Sequence, residues 1–183
     1  MFAAHGYTAA STRDIARLAD INECSIYRLF GTKQELFWAA LKRCAEHVQL
    51  RHEMETALAN DADPETALRR VIEFLVNISV HQPELVRLLG ASWLELRPQA
   101  EVVQRQAMSP LLRIIAGHLA RAAAAGRLVD VDPSLTTIAL AGSILAHHAL
   151  SPVLNGLSRP YTNTEEAVAA YSRYWLKLLT TPA

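Results

Sequence analysis

The chain has 183 residues, of which 51% are hydrophobic and 20% are charged, and its formal net charge is zero. Such a composition is that of a globular chain with a buried core and excludes a disordered one, while the lack of an apolar run near about twenty residues argues against a membrane span. Zero net charge does not by itself indicate a nucleic-acid partner, and the two cysteines, Cys24 and Cys44, are too few for a disulfide framework.

The segment STRDIARLADINECSIYRLFGTKQELF, residues 11–37, is the most informative part of the sequence. Ser11 and Asp14 have the spacing of a capping box, which predicts the start of a helix. The apolar side chains that follow recur at helical spacing on one face. Asp20 comes where the chain must turn, and Asp tolerates left-handed backbone angles better than most residues. Ile21 is expected to fill the gap between this helix and the next.

A second helix is predicted from Glu23 to Phe30, with Asn22 as its N-cap. Ile26 and Phe30 are four residues apart, so they share a face that can contact the first helix. Gly31 is expected to end this helix.

A third helix is predicted to begin at Thr32, which forms a second capping box with Glu35. Two short helices around a tight turn, followed by a third, are the layout of a helix-turn-helix DNA-binding unit. The segment resembles the N-terminal domain of the TetR (tetracycline repressor) family of bacterial transcriptional regulators. The residues that match the family signature are Phe2, Gly6, Tyr7, Ser11, Thr12, Ile15, Ala16, Ala19, Ile21, Ile26, Tyr27, Phe30, Lys33, Glu35 and Leu36.

The resemblance implies an all-α fold with two parts. Residues 1–40 would form the helix-turn-helix DNA-binding domain, and residues 41–183 a helical ligand-binding and dimerisation domain. Three positions depart from the family pattern: Asp20 replaces the usual turn glycine, Asn22 the usual serine, and Leu29 a common Tyr or His. Because the family's first helix usually starts further upstream, behind a basic arm, we expect this sequence to contain only the end of that helix.

The resemblance also implies roles in DNA binding. Thr12, Ser25, Tyr27 and Lys33 match family positions that hold phosphates. The candidates to read base edges are Arg13, Glu23, Cys24 and Arg28, because Arg can bind guanine and Glu can accept from cytosine N4. Each role has a plainer alternative: Lys33 as a surface charge at a helix start, Tyr27 as a packing residue, and Glu23 as a complement to the helix dipole.

Beyond this segment the pattern predicts only helices, separated by Pro, Gly and capping residues. Asp63 and Pro64, for example, are typical of an N-cap followed by the first helical position. The predicted helices cover residues 33–58, 64–82, 83–96, 98–125, 133–150 and 164–179.

The last two long helices are candidates for self-association. Their apolar lines include Leu140, Ile144, Val168, Tyr171, Trp175 and Leu178. The first of the two also carries small residues that would allow close approach of another helix, namely Ala139, Ala141, Gly142, Ser143 and Ala146. The alternative is that both helices pack only into their own core. The resemblance implies pairing through these helices into a four-helix bundle, and a homodimer is what two-fold palindromic operator half-sites require.

The middle helices are candidates for an effector pocket, because family members usually bind a small molecule there. The candidate lining residues are Phe74, Ile78, His81, Leu89, Trp93, Met108, Leu112, Ile115, His118 and His147. An apolar wall with a few His and Trp donors suits a mostly hydrophobic ligand, although each of these residues could equally be plain core.

The function expected from the sequence is that of a cytoplasmic, ligand-responsive transcriptional repressor that a small effector releases from double-stranded DNA. The alternatives are a helical adaptor of the same fold that does not bind DNA and, less favoured, a small helical enzyme. No nucleophile–base pair, phosphate-binding glycine loop or paired carboxylates form a readable motif. Neither a cofactor nor a metal is expected, since His81, His118 and His147 have no Cys or carboxylate at ligand spacing.

Overall fold

The computed structural model describes residues 1–46, 54–55, 58, 63–96, 101, 109–150, 161 and 163–180. Over these ranges the regular structure is helical, which confirms the all-α class. The helices are α1 Phe2–Ala9, α2 Thr12–Leu18, α3 Glu23–Phe30, α4 Lys33–Glu46, α5 Pro64–His81, α6 Pro83–Glu95, α7 Ser109–Ala124, α8 Pro133–Leu150 and α9 Thr164–Leu179. Within the described ranges, none of these helices has the length and hydropathy that crossing a membrane requires.

The chain divides into two compact units. The first joins residues 1–49 with residues 84–104, and the second joins residues 50–83 with residues 105–183. The first unit therefore contains α1–α4 and nearly all of α6, and the second contains α5, α7, α8 and α9. The division of roles at residues 40 and 41 that the sequence predicts stays a prediction.

The first unit is built around α3 and α4. Helix α3 contacts both α2 and α4, and Ile26 is buried, as its position in the sequence predicts. Phe37 and Leu41 of α4 are also buried. The Phe37 ring meets the rings of Phe2 and Tyr7 edge-on, with centroids 5.2 and 5.6 Å away. This aromatic cluster joins α1 to α4, and edge-to-face pairs of this kind add to the stability that burial provides.

Helix α5 is the central element of the second unit, since it contacts α7, α8 and α9. Its buried face is the one that the 3.6-residue periodicity predicts, formed by Leu68, Val71, Ile72, Leu75 and Ile78. Asp63 is its N-cap and accepts from the amides of Glu65 and Thr66, with Pro64 in the first turn. The Val129 amide donates to the Leu179 carbonyl at 2.9 Å, which holds the segment after α7 to the end of α9.

The predicted helix boundaries are close to the observed ones wherever the structure describes them. Helices α3, α8 and α9 have the predicted ends, and α5 and α6 each end one residue earlier than predicted. The predicted extension of α4 to residue 58, the start of a helix at Pro98 and the loop that follows residue 150 fall largely outside the described residues.

Candidate nucleic-acid interface

The turn between α2 and α3 has the geometry that its residues predict. Asp20 has φ 53°, in the left-handed region that Asp tolerates better than most residues. The Asn22 side chain accepts from the Cys24 amide at 2.8 Å and so caps α3. Ile21 was expected to fill the gap between the helices, but it is 45% exposed. The Ile21 amide is instead bound to the Ala16 carbonyl at 3.0 Å, so the backbone closes this turn.

Helix α3 presents one face away from the core of the first unit. Ile26 points inward, whereas Cys24 and Arg28, four residues apart, are exposed on one side. Arg13, near the start of α2, is exposed as well. Three of the four side chains predicted to read bases are therefore accessible to a DNA groove.

The fourth predicted base reader, Glu23, belongs to a hydrogen-bonded network with two predicted phosphate contacts. The Thr12 hydroxyl donates to Glu23 Oε1 at 2.6 Å and lies 3.0 Å from the Tyr27 hydroxyl. Because Thr12 has only one hydroxyl proton, and gives it to Glu23, the Tyr27 hydroxyl must be the donor to Thr12. Thr12 is buried. In this arrangement neither the Thr12 nor the Tyr27 hydroxyl has a proton left for a phosphate.

Lys33, the fourth residue predicted to hold a phosphate after Thr12, Ser25 and Tyr27, contacts the end of α1. Its ammonium donates to the Thr8 carbonyl at 3.2 Å and lies 4.6 Å from the centre of the Tyr7 ring. Ser25 is half-buried. An ammonium has three donors, so Lys33 can hold α1 and still donate to DNA.

Glu95 is a contact of this region that the sequence did not reveal. Its carboxylate accepts from the backbone amides of Tyr7 at 3.1 Å and of Thr8 at 2.6 Å. The pKa of Glu95 is lowered, first by a hydrogen bond from the Thr8 side chain, then by these amides and by Lys33, against an opposing effect of burial. A separation of almost ninety residues hides this contact from any local pattern.

The predicted ligand residues are divided between the two compact units. Phe74, Ile78 and Ile115 are buried in the second unit, and Leu112, His118 and His147 are half-buried there. His81, at the end of α5, is exposed, and so is Trp93 of the first unit, whereas Leu89 of that unit is half-buried. Met108 lies outside the described residues. The second unit has an open cavity of about 320 Å³. Among the predicted ligand residues that the structure describes, Leu112 alone lines it, with Ser109, Arg113, Ala116, Ser134, Thr137 and Ile138.

The residues predicted to form a dimer interface are mostly buried within the single chain. Five of the six have at most 8% of their surface exposed: Leu140, Ile144, Val168, Tyr171 and Trp175. Leu178 is 50% exposed. Leu178 shares the exposed apolar surface of α8 and α9 with residues outside the predicted set, including Leu135, Ile138, Gly142, Ala146 and Tyr174.

The surroundings of two histidines in the second unit favour the neutral form of the imidazole. His147 Nδ1 is hydrogen-bonded to the Tyr171 hydroxyl, and burial lowers the His147 pKa, with His148 as a second cause. Burial is also the main cause that lowers the pKa of His118, and Arg121 and Arg127 add to it. Within the ranges that the structure describes, no group of His, Cys, Asp and Glu side chains is placed to hold a metal ion.

Comparison with known proteins agrees with the geometry of α1–α4. Residues 1–40 match the family model for bacterial regulatory proteins of the tetR family. The transcriptional repressor NicS of Pseudomonas putida is 36% identical over 92 residues, which are 49% of this chain and 42% of NicS. The sequence match thus spans less than half of that relative.

Solved structures of low sequence identity share the fold over nearly the whole chain. A tetR-family regulator from Rhodococcus RHA1 is 19% identical with a TM-score of 0.83, and the match covers 100% of this chain and 92% of that one. AibR, in its complex with isovaleryl coenzyme A and operator DNA, is 14% identical with a TM-score of 0.72, covering 94% and 90% of the two chains. Residues 1–40, which contain the helix-turn-helix of α2 and α3, are thus similar to the tetR family of bacterial regulatory proteins, and the chain shares its fold with solved regulators over nearly its whole length.

Proposed function

We propose that the protein is a ligand-responsive transcriptional regulator that represses genes by binding a palindromic operator as a homodimer. The observation that carries this proposal is the exposed side of α3, where Cys24 and Arg28 are free of the core; Arg13 near the start of α2 is exposed as well. A helix with such a face at the second position of a helix-turn-helix is suited to enter the major groove. A regulator of this kind works in the cytoplasm and has no enzymatic activity of its own.

Contacts to the DNA backbone would position this helix, and contacts to bases would give specificity. Arg28 is suited to bidentate binding of guanine O6 and N7. The hydroxyls of Thr12 and Tyr27 can bind phosphates only if their network with Glu23 rearranges, because both protons are engaged within it. DNA binding would then include a change of hydrogen-bond partners within the helix-turn-helix.

The proposed dimer would use the exposed face of α8 and α9. Leu135, Ile138, Gly142 and Ala146 recur at helical spacing along α8, and all four are exposed. None of them is charged, and the two larger ones are 66% and 60% exposed. A face with small residues at its centre allows a second helix to approach closely. Two-fold pairing would place two copies of α3 against two half-sites.

The proposed effector is small and mostly apolar. AibR, which shares the fold, has been solved with isovaleryl coenzyme A and operator DNA, so this architecture can accommodate both kinds of partner. In the second unit, Leu112 and Ile138 give the open cavity an apolar part, and the Nε2 atom of His118 is buried without a partner among the described residues. A ligand that binds the DNA-free arrangement more tightly would shift the population away from DNA.

The test is selection of binding sites from a random-sequence duplex library by the full chain, followed by affinity measurements on the selected site at two salt concentrations. Enrichment of a palindrome, with affinity that falls steeply as salt rises, is the expected result. A folded protein that enriches no sequence would overturn the proposed function.

A further inference from the structure

Helix α1 is interrupted at Gly6, which has φ 78° and ψ −179°. This conformation is open to glycine and strained for other residues. The interruption starts a new helical turn, and the first amides of a helical turn have no acceptor within the helix. Tyr7 and Thr8 carry these amides, and the Glu95 carboxylate accepts both. We refer to this pair of hydrogen bonds as the Glu95 contact.

The Glu95 contact depends on close approach of the two chain segments. A Cβ atom at Gly6 would lie 2.7 Å from Glu95 Oε1, well inside normal contact distance. Glycine at this position therefore allows both the backbone angles of the interruption and the approach of the carboxylate. Glu95 is the last residue of α6, and both partners belong to the first compact unit.

The end of α1 is held from a second side by Lys33, the first residue of α4. Its ammonium binds the Thr8 carbonyl and lies over the Tyr7 ring, and its positive charge contributes to the lowered pKa of Glu95. One peptide segment thus lies between an acid on α6 and a base on α4. A shift of Glu95 would move the segment Tyr7–Thr8 and, with it, the ammonium of Lys33, which is also a predicted phosphate contact.

We propose that Glu95 is a positioning residue for DNA binding. Its carboxylate fixes the end of α1, and through the shared segment Tyr7–Thr8 it keeps Lys33 where the ammonium can meet the DNA backbone. The inference rests on the proposed function, because it assigns to Glu95 a part in binding an operator. It makes α6, which directly follows α5 in the chain, a helix whose position influences the DNA-binding residues.

The direction in which removal of the Glu95 charge changes operator affinity distinguishes a positioning role from a general charge effect. DNA is a polyanion, so removal of an acidic charge from a DNA-binding protein would by itself strengthen binding. Glu95→Gln removes that charge, keeps the size of the side chain and presents an NH2 group to one of the two amides, which then loses its acceptor. A positioning role predicts weaker binding, by about tenfold, since hydrogen bonds to a carboxylate are stronger than neutral ones. Glu84→Gln, at the exposed start of the same helix, is the matched control and should bind as well as the wild type or slightly better.

The experiment measures operator affinity of the full-length wild type, Glu95→Gln and Glu84→Gln, together with the NMR resonances of the Tyr7 and Thr8 amides. In the wild type these resonances should move when acid titrates Glu95, and in Glu95→Gln this movement should vanish. Glu95→Asp serves as a second variant if Glu95→Gln does not fold, because it keeps the charge but is too short to reach both amides. It should also bind more weakly.

Unchanged or tighter operator binding by folded Glu95→Gln, or Tyr7 and Thr8 resonances that do not respond to this substitution, would overturn the inference while the proposed function stands. A wild-type protein that selects no DNA sequence would overturn both, and the selection experiment on the wild type therefore tells the two failures apart.

Discussion

Thr12 Oγ1 lies 2.6 Å from Glu23 Oε1, so the first helical residue of α2 is hydrogen-bonded to the first residue of α3. The Tyr27 hydroxyl adds a further link at 3.0 Å. These three residues include two predicted phosphate contacts and one predicted base reader. In the DNA-free protein, the side chains of these three residues are hydrogen-bonded to one another.

Glu23→Ala should strengthen binding to all DNA sequences by about three- to tenfold. The substitution removes a negative charge from the DNA-facing helix and frees the Thr12 proton for a phosphate. The measurement compares affinity for the selected operator and for an unrelated duplex. If affinity falls on the operator alone, and preference is lost at one base pair, then Glu23 reads a cytosine instead.

Arg28→Ala should relax the preference at one base step. A bidentate Arg–guanine pair contributes about 1–3 kcal/mol of discrimination, and Arg28 is exposed on the outer side of α3. Repeating the site selection with the variant shows which position loses its preference. Arg17→Ala is the control, because Arg17 is exposed but paired with Asp14 at 2.7 Å. Retained preference at every position in Arg28→Ala would contradict this docking of α3.

Local signals in the sequence predicted much of the fold. Asn22 caps α3, Asp63 caps α5, and the left-handed angle falls on Asp20, as expected. Each of these outcomes is a helix cap or a turn, and such features depend on a residue and its immediate neighbours in the chain. Such features are accessible to sequence reasoning because no tertiary contact has to be known.

Contacts between distant segments were not predictable in this way. Apolar residues at helical spacing mark the side of α8 and α9 that is buried, but periodicity does not say whether a partner subunit or the same chain covers it. Leu140 and Ile144 were candidates for the dimer interface, yet the chain buries both completely. Glu95, at the end of an amphipathic helix, reads as a surface charge until the structure brings Tyr7 and Thr8 to it.

Gly6→Ala should destabilise the protein by about 1–3 kcal/mol, because φ 78° with ψ −179° is a conformation that only glycine adopts readily. The new Cβ would also displace the Glu95 carboxylate. Gly90→Ala is the matched control: Gly90 is in α6, and a Cβ there meets nothing within 4 Å. This control should be neutral or more stable, since alanine favours helix more than glycine does. Urea unfolding of both variants measures the difference, and equal stabilities would contradict the account of Gly6.

Gly142→Lys should weaken the proposed dimer at least about tenfold, because it would bury a charge where two helices approach closely. Lysine favours helix more than glycine does, so the variant should fold. Ala120→Lys, at an exposed position of α7, is the control for added charge. Sedimentation over a range of concentrations gives the dissociation constant. If Gly142→Lys dimerises like the wild type, the interface lies elsewhere on the chain.

Stability should fall as the pH drops below about 6.5, because of His118 and His147. Both have pKa values lowered from the ordinary value of 6.5, so in this range the unfolded chain binds more protons than the folded one. By linkage, the free energy of unfolding rises with pH in this range. The contribution of the two histidines is therefore lost progressively on acidification, until the pH falls below their folded-state pKa values. Asp63 and Glu95 also have lowered pKa values, but their contributions disappear only at more acidic pH.

The variants His118→Gln and His147→Gln should each reduce the change in unfolding free energy between pH 7.5 and pH 5.5, measured by urea titration. His147→Gln removes the titrating imidazole and leaves Tyr171, the hydrogen-bond partner of Nδ1, in place. His81→Gln is the control, since His81 is exposed at the end of α5. Were the pH dependence the same in all three variants, the lost stability would have to come from other titrating groups, and the buried environment of the two histidines would not control it.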